Sequence, residues 1–401
     1  MAKKKRFAAL GCSIVALAMS SIVACSADAG PDPVTGTPPG TGWSVSTPHH
    51  AGVEPVAGYA AGTFPSPVGW EAPGRREQWG LVWNDEFSGN SLNPDRWNMD
   101  TGTGAQFGLT GWGNAELQYY RRSNVMVRNG HLILEARDDG RGAMNFTSGK
   151  ITSGGTRASA TYLSETFPER FAIQEGFIEA RIRSPRGAGF WPAFWTLGTN
   201  VNQFGNGGLE AYRNWPYSGE IDIMEIRGHE AGFHMAGNPP QLTGPRFMST
   251  IHHGLSYPAA RWFPGASMWF DGREQPIAAG QAHIDAGRVI RRTPVVLPPG
   301  VDLANGFHVY GVRWDGNYMD FYFNGVNWMT IDLRNLQGGD YANAAAFTAP
   351  TGQFINLNLA VGGNFLPAAY REPNPALFAP GSPWETRSLT IDWVRVHERV
   401  R

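Results

Sequence analysis

From about Arg76 onward, apolar and polar residues alternate over short runs, and Gly, Asn, Asp or Pro separates one run from the next. GLVWNDEF, VMVRNGHLILEAR, GFIEARIRS, EIDIMEI, FHVYGVRW, MDFYFNG, FINLNLAVGG and LTIDWVRVHE are such runs, and many show the period of two expected of a half-buried strand. In FIEARIR the alternation sets Phe177, Glu179, Arg181 and Arg183 on one face and Ile178, Ala180 and Ile182 on the other. Helical periodicity is scarce. Short strands repeated in this way predict an all-β domain over residues 76–401, a β-sandwich of jelly-roll type. Thr199–Tyr217 and Gly254–Gly306 do not alternate and are expected to be long irregular segments of functional use.

The first 75 residues follow a different pattern. Residues 1–24 begin with a basic cluster from Lys3 to Arg6, continue as an apolar run and end in small residues, the layout of an export signal. Ile22-Val23-Ala24-Cys25 resembles a bacterial lipobox, which implies that Cys25 is lipidated and becomes the mature N-terminus. Residues 25–75 are rich in Pro, Gly, Ser and Thr and are expected to be a disordered spacer. The protein is therefore expected outside a bacterial cell, either anchored to the membrane by its lipid or secreted. No other apolar run is long enough to span a membrane.

Composition narrows the partner. The 401-residue chain is 42% hydrophobic and 12% aromatic, enough to bury a full core. Its formal charge of -1, with no Lys/Arg block beyond the N-terminus, lacks the electrostatic footprint of nucleic-acid binding. A neutral polymer or small molecule is the expected partner, bound by a monomer. Cys12 and Cys25 both precede the folded region, which has neither a disulfide nor a thiolate for catalysis or metal binding.

SGEIDIMEIRG, Ser218 to Gly228, places Glu220, Asp222 and Glu225 in an otherwise apolar strand. In a regular strand Glu220 and Asp222 share a face and Glu225 points to the other. One extra residue between Asp222 and Glu225, a β-bulge, restores all three to one face, and bulges are over-represented beside active sites. Neutral sugars present hydroxyls at their edges and C–H groups on their faces, so a saccharide cleft needs aromatic plates with polar groups beside them. Trp112, Trp191, Trp195 and Trp215 supply the aromatics. Trp191 and Trp195 share strand parity, as do Asn114 and Glu116, so one of each pair is open to burial in the core.

GEIDIMEIRG matches the ExDxxE motif of family 16 glycoside hydrolases, in the bulged form of the laminarinase-like members, the endo-β-1,3-glucanases. LVWNDEF, WGNAELQYY, NVMVRNGHLILEAR, GFIEARIRSPRGAGFWPAFWTLG, STIHHG, FHVYGVRW, LNLAVGGNF and IDWVRV follow in the family's order, from about Gly80 to Val396. The resemblance implies a concanavalin-A-like sandwich with a concave cleft that hydrolyses β-1,3-glucan with retention of configuration and no catalytic cofactor. It makes Glu220 the nucleophile, Glu225 the general acid/base and Asp222 the residue that steadies the nucleophile. It assigns sugar contacts to Asn114, Arg181, Trp191, Trp195, Trp215 and His252, and leaves Trp83, Trp314 and Trp393 to the core. His253 follows His252 where the family more usually has an aromatic residue. The resemblance also implies a structural calcium held by Glu86, the Gly130 backbone and Asp392, an oxygen-only set suited to that ion. Relatives of this fold also cleave mixed-linked glucan or galactans such as agar, and others bind β-glucan without cleaving it. The latter lack one or both glutamates, which are present here.

Overall fold

The computed structural model describes residues 79–105, 109–140, 144–155, 168–199, 219–232, 234–236, 241–253, 261–269, 289–292, 302–336, 347 and 352–400. The export segment, Cys25, the spacer and Trp215 lie outside these residues, as do most of Thr199–Tyr217 and much of Gly254–Gly306.

The alternating runs form two large antiparallel sheets. In the first, the spatial order is Arg261–Trp269, Arg246–His253, Glu220–Glu225, Phe190–Gly198, Gln353–Val361, Lys150–Thr152 and Asn98–Met99. The second orders Val289–Arg292, Val326–Asp332, Tyr318–Phe323, His308–Trp314, Gly176–Arg183, Ser388–Arg399, His131–Glu135 and Val125–Arg128, with Trp79–Asp85 also paired to Ser388–Arg399. A short parallel pair, Gln118–Tyr120 with Phe146–Ser148, stands apart from both.

Alternation determines what lies between the sheets. Ile178, Ala180 and Ile182 of the second sheet are fully buried in one cluster with Val394 and Val396 beside them and with Phe194, Ile221, Ile355 and Leu357 of the first sheet. Phe247 of the first sheet meets Tyr310 and Phe323 of the second, each at 5.1 Å between ring centroids. Each such Ile, Leu or Phe, fully buried, contributes roughly 1.5–3 kcal/mol of transfer free energy. The result is the expected jelly-roll sandwich. Two Asn-Gly pairs close its hairpins: Asn129 and Gly130 (φ 51° and 75°), then Asn324 and Gly325 (φ 46° and 80°). Positive φ at both central positions belongs to the turn whose twist matches that of the flanking strands.

One expectation needs correction and another is refined. Arg261–Trp269 and Val289–Arg292 are strands inside the Gly254–Gly306 segment, which was expected to be irregular. In the first of these, Pro264 and Gly265 interrupt the period that sequence reading relies on. The strand lies at the sheet edge and its register slips between Ser249 and Ile251, the setting in which Pro is tolerated. Trp393, expected in the core with Trp83 and Trp314, is buried as expected, 7% exposed, but on the outer face of the second sheet rather than between the sheets. A register slip between Ile391 and Trp393 turns its side chain outward, paired with Arg181, and the Arg395 guanidinium lies 4.1 Å from its ring. Trp314 is fully buried, and Trp83 packs at the edge of the core on Trp97 and Phe171.

Candidate active site

The strand Glu220–Glu225 is bulged on both sides. Asp222 pairs with Trp195 and Glu225 with Ala193, so Ile223 and Met224 together face the single residue Phe194. Toward the other neighbour, the same two residues face Ser249, between Asp222↔Thr250 and Glu225↔Met248. Ile223 and Met224 are both buried in the core, and the Ser249 hydroxyl donates to the Ile223 carbonyl at 2.7 Å. Glu220, Asp222 and Glu225 consequently share the face turned away from the core, the arrangement that the ExDxxE spacing requires.

His252, opposite Glu220 in the register, completes the row. Its Nε2 lies 3.1 Å from Asp222 Oδ2, and ligand atoms of Glu220, Asp222 and His252 all fall within 4.8 Å of one another. The row is buried enough to shift its own titration. Burial, reinforced by the charge of Glu225, raises the Asp222 carboxyl well above its usual range, although the hydrogen bond to Glu220 pulls the other way. Burial therefore favours the neutral form of Asp222. Burial pushes Glu225 up to about 7, with the Glu220 charge adding to the rise and His252, the Trp191 hydrogen bond and Arg227 opposing it. Carboxylates that sense one another in a dry site separate into ionised and protonated members.

Trp191 and Trp195 extend from the neighbouring strand on the same face as the carboxylates, and both are half-buried. Trp191 Nε1 donates to Glu225 Oε1 at 2.9 Å, and its ring stacks on Phe365 at 4.8 Å. Gly363 makes room for that ring: its φ is +95° and a Cβ there would lie 3.0 Å from the indole, so a side chain would crowd Trp191. Arg227 covers the other partner, with its guanidinium 4.7 Å from the Phe365 ring and its Nε donating to the Phe365 carbonyl. Asn114 comes to the same place, since its carbonyl accepts from Asn364 N and lies 3.4 Å from the Cβ position of Gly363. The structure thus gathers Asn114, Trp191, Trp195, Glu220, Asp222, Glu225 and His252 on one face. The side chain of His253 lies outside the description.

Sequence reading did not assign roles to Glu116, Tyr120, Asn358, Phe365 or Arg227. For the first two a signal was present: in NAELQYY, polar groups recur at every second position, Asn114, Glu116, Gln118 and Tyr120. Glu116 is the buried member of its pair, and burial raises its carboxyl to about 7 despite Gln118, Lys150, Asn114 and Tyr120, all of which favour the charged form.

Arg181 is not at this site. Its strand belongs to the second sheet, and because Ile178, Ala180 and Ile182 fill the core, Arg181 points outward, where it bonds Asp392 and lies 4.8 Å from the Phe307 ring. The same contact bears on calcium. The register brings Glu86, the Asn129-Gly130 turn and Asp392 toward one stretch of Ser388–Arg399. There both Glu86 oxygens accept from Arg395 at 2.9 Å, while Asp392 faces Arg181 and, at 3.5 Å, His131. Guanidinium groups already neutralise the carboxylates that a calcium ion would need, so these residues as arranged do not fit that ion.

No protein-family model matches the chain. It is 30% identical over 322 residues to the glucan endo-1,3-β-glucosidase of Cryptopygus antarcticus, covering 79% of this chain and 91% of that protein. It is 29% identical over 331 residues to glucan endo-1,3-β-glucosidase A1 of Niallia circulans, covering 79% of this chain but only 38% of that longer protein. Among solved structures it is similar to the endo-β-1,3-glucanase of Pyrococcus furiosus, with a TM-score of 0.55 and 28% identity over 81% of this chain and 96% of the other.

Proposed function

This chain belongs to the laminarinase family, family 16 of the glycoside hydrolases, and from that membership we propose that it hydrolyses internal β-1,3 bonds of a laminarin-like β-glucan with net retention. The observation that carries the proposal is the bulged row, which turns two glutamates toward one face with Asp222 between them. Glycoside hydrolysis with retention requires such a pair of carboxyl groups, one to attack and one to protonate.

In the proposed mechanism the glucan lies across the face that carries Trp191 and Trp195, its sugar faces against the indoles. Glu220 attacks the anomeric carbon, and the bond to the leaving oxygen breaks as Glu225 transfers its proton to that oxygen. Water then attacks the glycosyl-enzyme while Glu225, now a carboxylate, takes a proton from it, which restores both groups. Asp222, hydrogen-bonded to Glu220, keeps its attacking oxygen oriented. His252, beside Asp222 and across from Glu220, secures the other side of the row. The test is direct: laminarin should yield new reducing ends, and NMR of the earliest products should show the β-anomer first. Inert laminarin, or a first-formed α-anomer, would remove the assignment.

A pH dependence follows from the raised Glu225 carboxyl. The proton donor is competent only while protonated, so kcat/KM on laminarin should hold below about 7 and decline tenfold per unit above it. Glu225→Ala should lose that limb in its slow residual turnover of laminarin, and should spare aryl glucosides with very good leaving groups, which need no proton. An unchanged alkaline limb in that variant would assign the titration to another residue.

The basic and then apolar run at residues 1–24 supports an activity outside the cell. Lipidation of Cys25 would hold the domain at a membrane on the Pro- and Gly-rich spacer, free to search nearby polymer. Wild-type protein should then sediment with membranes of a lipoprotein-processing host and Cys25→Ser should not. Equal partitioning of the two would eliminate the anchor.

A further inference from the structure

Behind the half-buried Trp195 runs a chain of hydrogen bonds that the reaction itself does not use. Trp195 Nε1 donates to Asn358 Oδ1 at 2.7 Å, Asn358 Nδ2 donates to the Tyr120 hydroxyl at 3.1 Å, and that hydroxyl donates to Glu116 Oε2 at 3.4 Å. Gln118 Nε2 also donates to Glu116 Oε2, at 2.6 Å, and its own Oε1 accepts from Val361 N at 2.8 Å. Asn358, Tyr120, Gln118 and Glu116 are all buried, so solvent offers none of them a ready substitute partner.

The chain has a direction. A hydroxyl has one proton to give, whereas a side-chain amide has a donor end and an acceptor end that differ only by a flip. Because Tyr120 gives its proton to Glu116, it must accept from Asn358, which must therefore turn Nδ2 toward Tyr120 and Oδ1 toward Trp195. Only in that orientation does the indole N–H find an acceptor. Without an acceptor at position 116 the Tyr120 proton is free to turn to Asn358, the amide flips, and its NH2 then opposes the indole N–H. The other Glu116 oxygen lies 3.5 Å from Asn114 Nδ2, which ties a second residue of the same face to this carboxyl.

We propose that Glu116 is a positioning residue for the glucan-binding face, fixing the Trp195 indole through Tyr120 and Asn358. The inference rests on the reading of that face as a β-glucan site, and its test separates the two. The charged groups around the chain are those of Lys150 and Asp100: Lys150 Nζ lies 4.1 Å from the Trp112 ring and 5.3 Å from the Trp195 ring, and 3.1 Å from Asp100 Oδ2. Both stay unchanged in the variants below.

Glu116→Leu removes the acceptor, Glu116→Gln keeps one, and Tyr120→Phe breaks the chain at its middle while keeping the ring that packs on Trp112. The indole N–H resonance of Trp195, assigned by its loss in Trp195→Phe, reports the local bond in the free protein without substrate. It should move in Glu116→Leu and Tyr120→Phe and stay near its wild-type position in Glu116→Gln. On laminarin the first two should raise KM by about 3- to 10-fold with kcat little changed, the size expected of one lost hydrogen bond, and Glu116→Gln should restore most of it. If wild type hydrolyses laminarin but neither the resonance nor KM responds to Tyr120→Phe, the positioning role is wrong. If the resonance responds and wild type leaves laminarin untouched, the chain of bonds stands and the substrate reading falls. Should Glu116→Leu fail to fold, Tyr120→Phe and Glu116→Gln carry the same decision.

Discussion

Glu220→Gln should lower laminarin turnover by roughly 10³-fold or more and leave fold and glucan affinity close to wild type. The amide keeps the shape of the carboxylate and its hydrogen-bonding reach toward Asp222, but it cannot form the glycosyl-enzyme. Binding relies on the indoles of Trp191 and Trp195, which the change does not touch, so affinity for a laminarin oligosaccharide measured by calorimetry should persist. A second readout comes from electrostatics. The charge of Glu220 is one of the influences that raise Glu225, so its removal should lower the pKa of the proton donor. Whatever slow hydrolysis remains should then lose activity at a lower pH than the wild type does. Turnover within tenfold of wild type would sink the nucleophile assignment, and lost binding would show that the substitution had disturbed more than the attacking group.

The face of each strand was legible in the sequence wherever alternation was clean, and the carboxylate row was legible because a bulge is the only simple way to align ExDxxE. What alternation cannot show is which sheet a strand joins. The faces of FIEARIR were read correctly, yet Arg181 was expected at the sugar and instead sits on the outer side of the other sheet. That is a fact of strand order, set by pairings as distant in sequence as Arg181 with Trp393. The calcium expectation met the same limit. Glu86 and Asp392 were weighed as carboxylates without the arginines that topology brings beside them. Arg261–Trp269 was misread at a register slip, where a displaced residue hides the period, and the slip beside Trp393 sets that buried ring on the outer face of its sheet. Glu116 had the right parity, but its part depends on Asn358, remote in the chain and contributed by the central strand Gln353–Val361.

Inserting one Ala between Met224 and Glu225 should cost about 10²- to 10⁴-fold on laminarin, the usual contribution of a positioned general acid. Ile223 and Met224 already occupy the bulge, opposite Phe194 on one side and Ser249 on the other. A further residue leaves Glu225 out of step with Ala193 and Met248 and turns it toward the Phe194 side, into the interior between the sheets. A carboxyl there has no partner, so the strand either keeps its register and loses the proton donor or widens the bulge and moves it away from Glu220. Deleting Met224 instead gives EIDIE, which needs no bulge, since positions one, three and five already share a face. The deletion variant should therefore keep its carboxylates in a row while the insertion variant does not, although the deletion disturbs the core more directly by removing a fully buried side chain. Circular dichroism and the melting transition establish that each variant is folded before its turnover is compared. A folded insertion variant that hydrolyses laminarin at near the wild-type rate would mean that the alignment of Glu225 with Glu220 is not what catalyses the reaction.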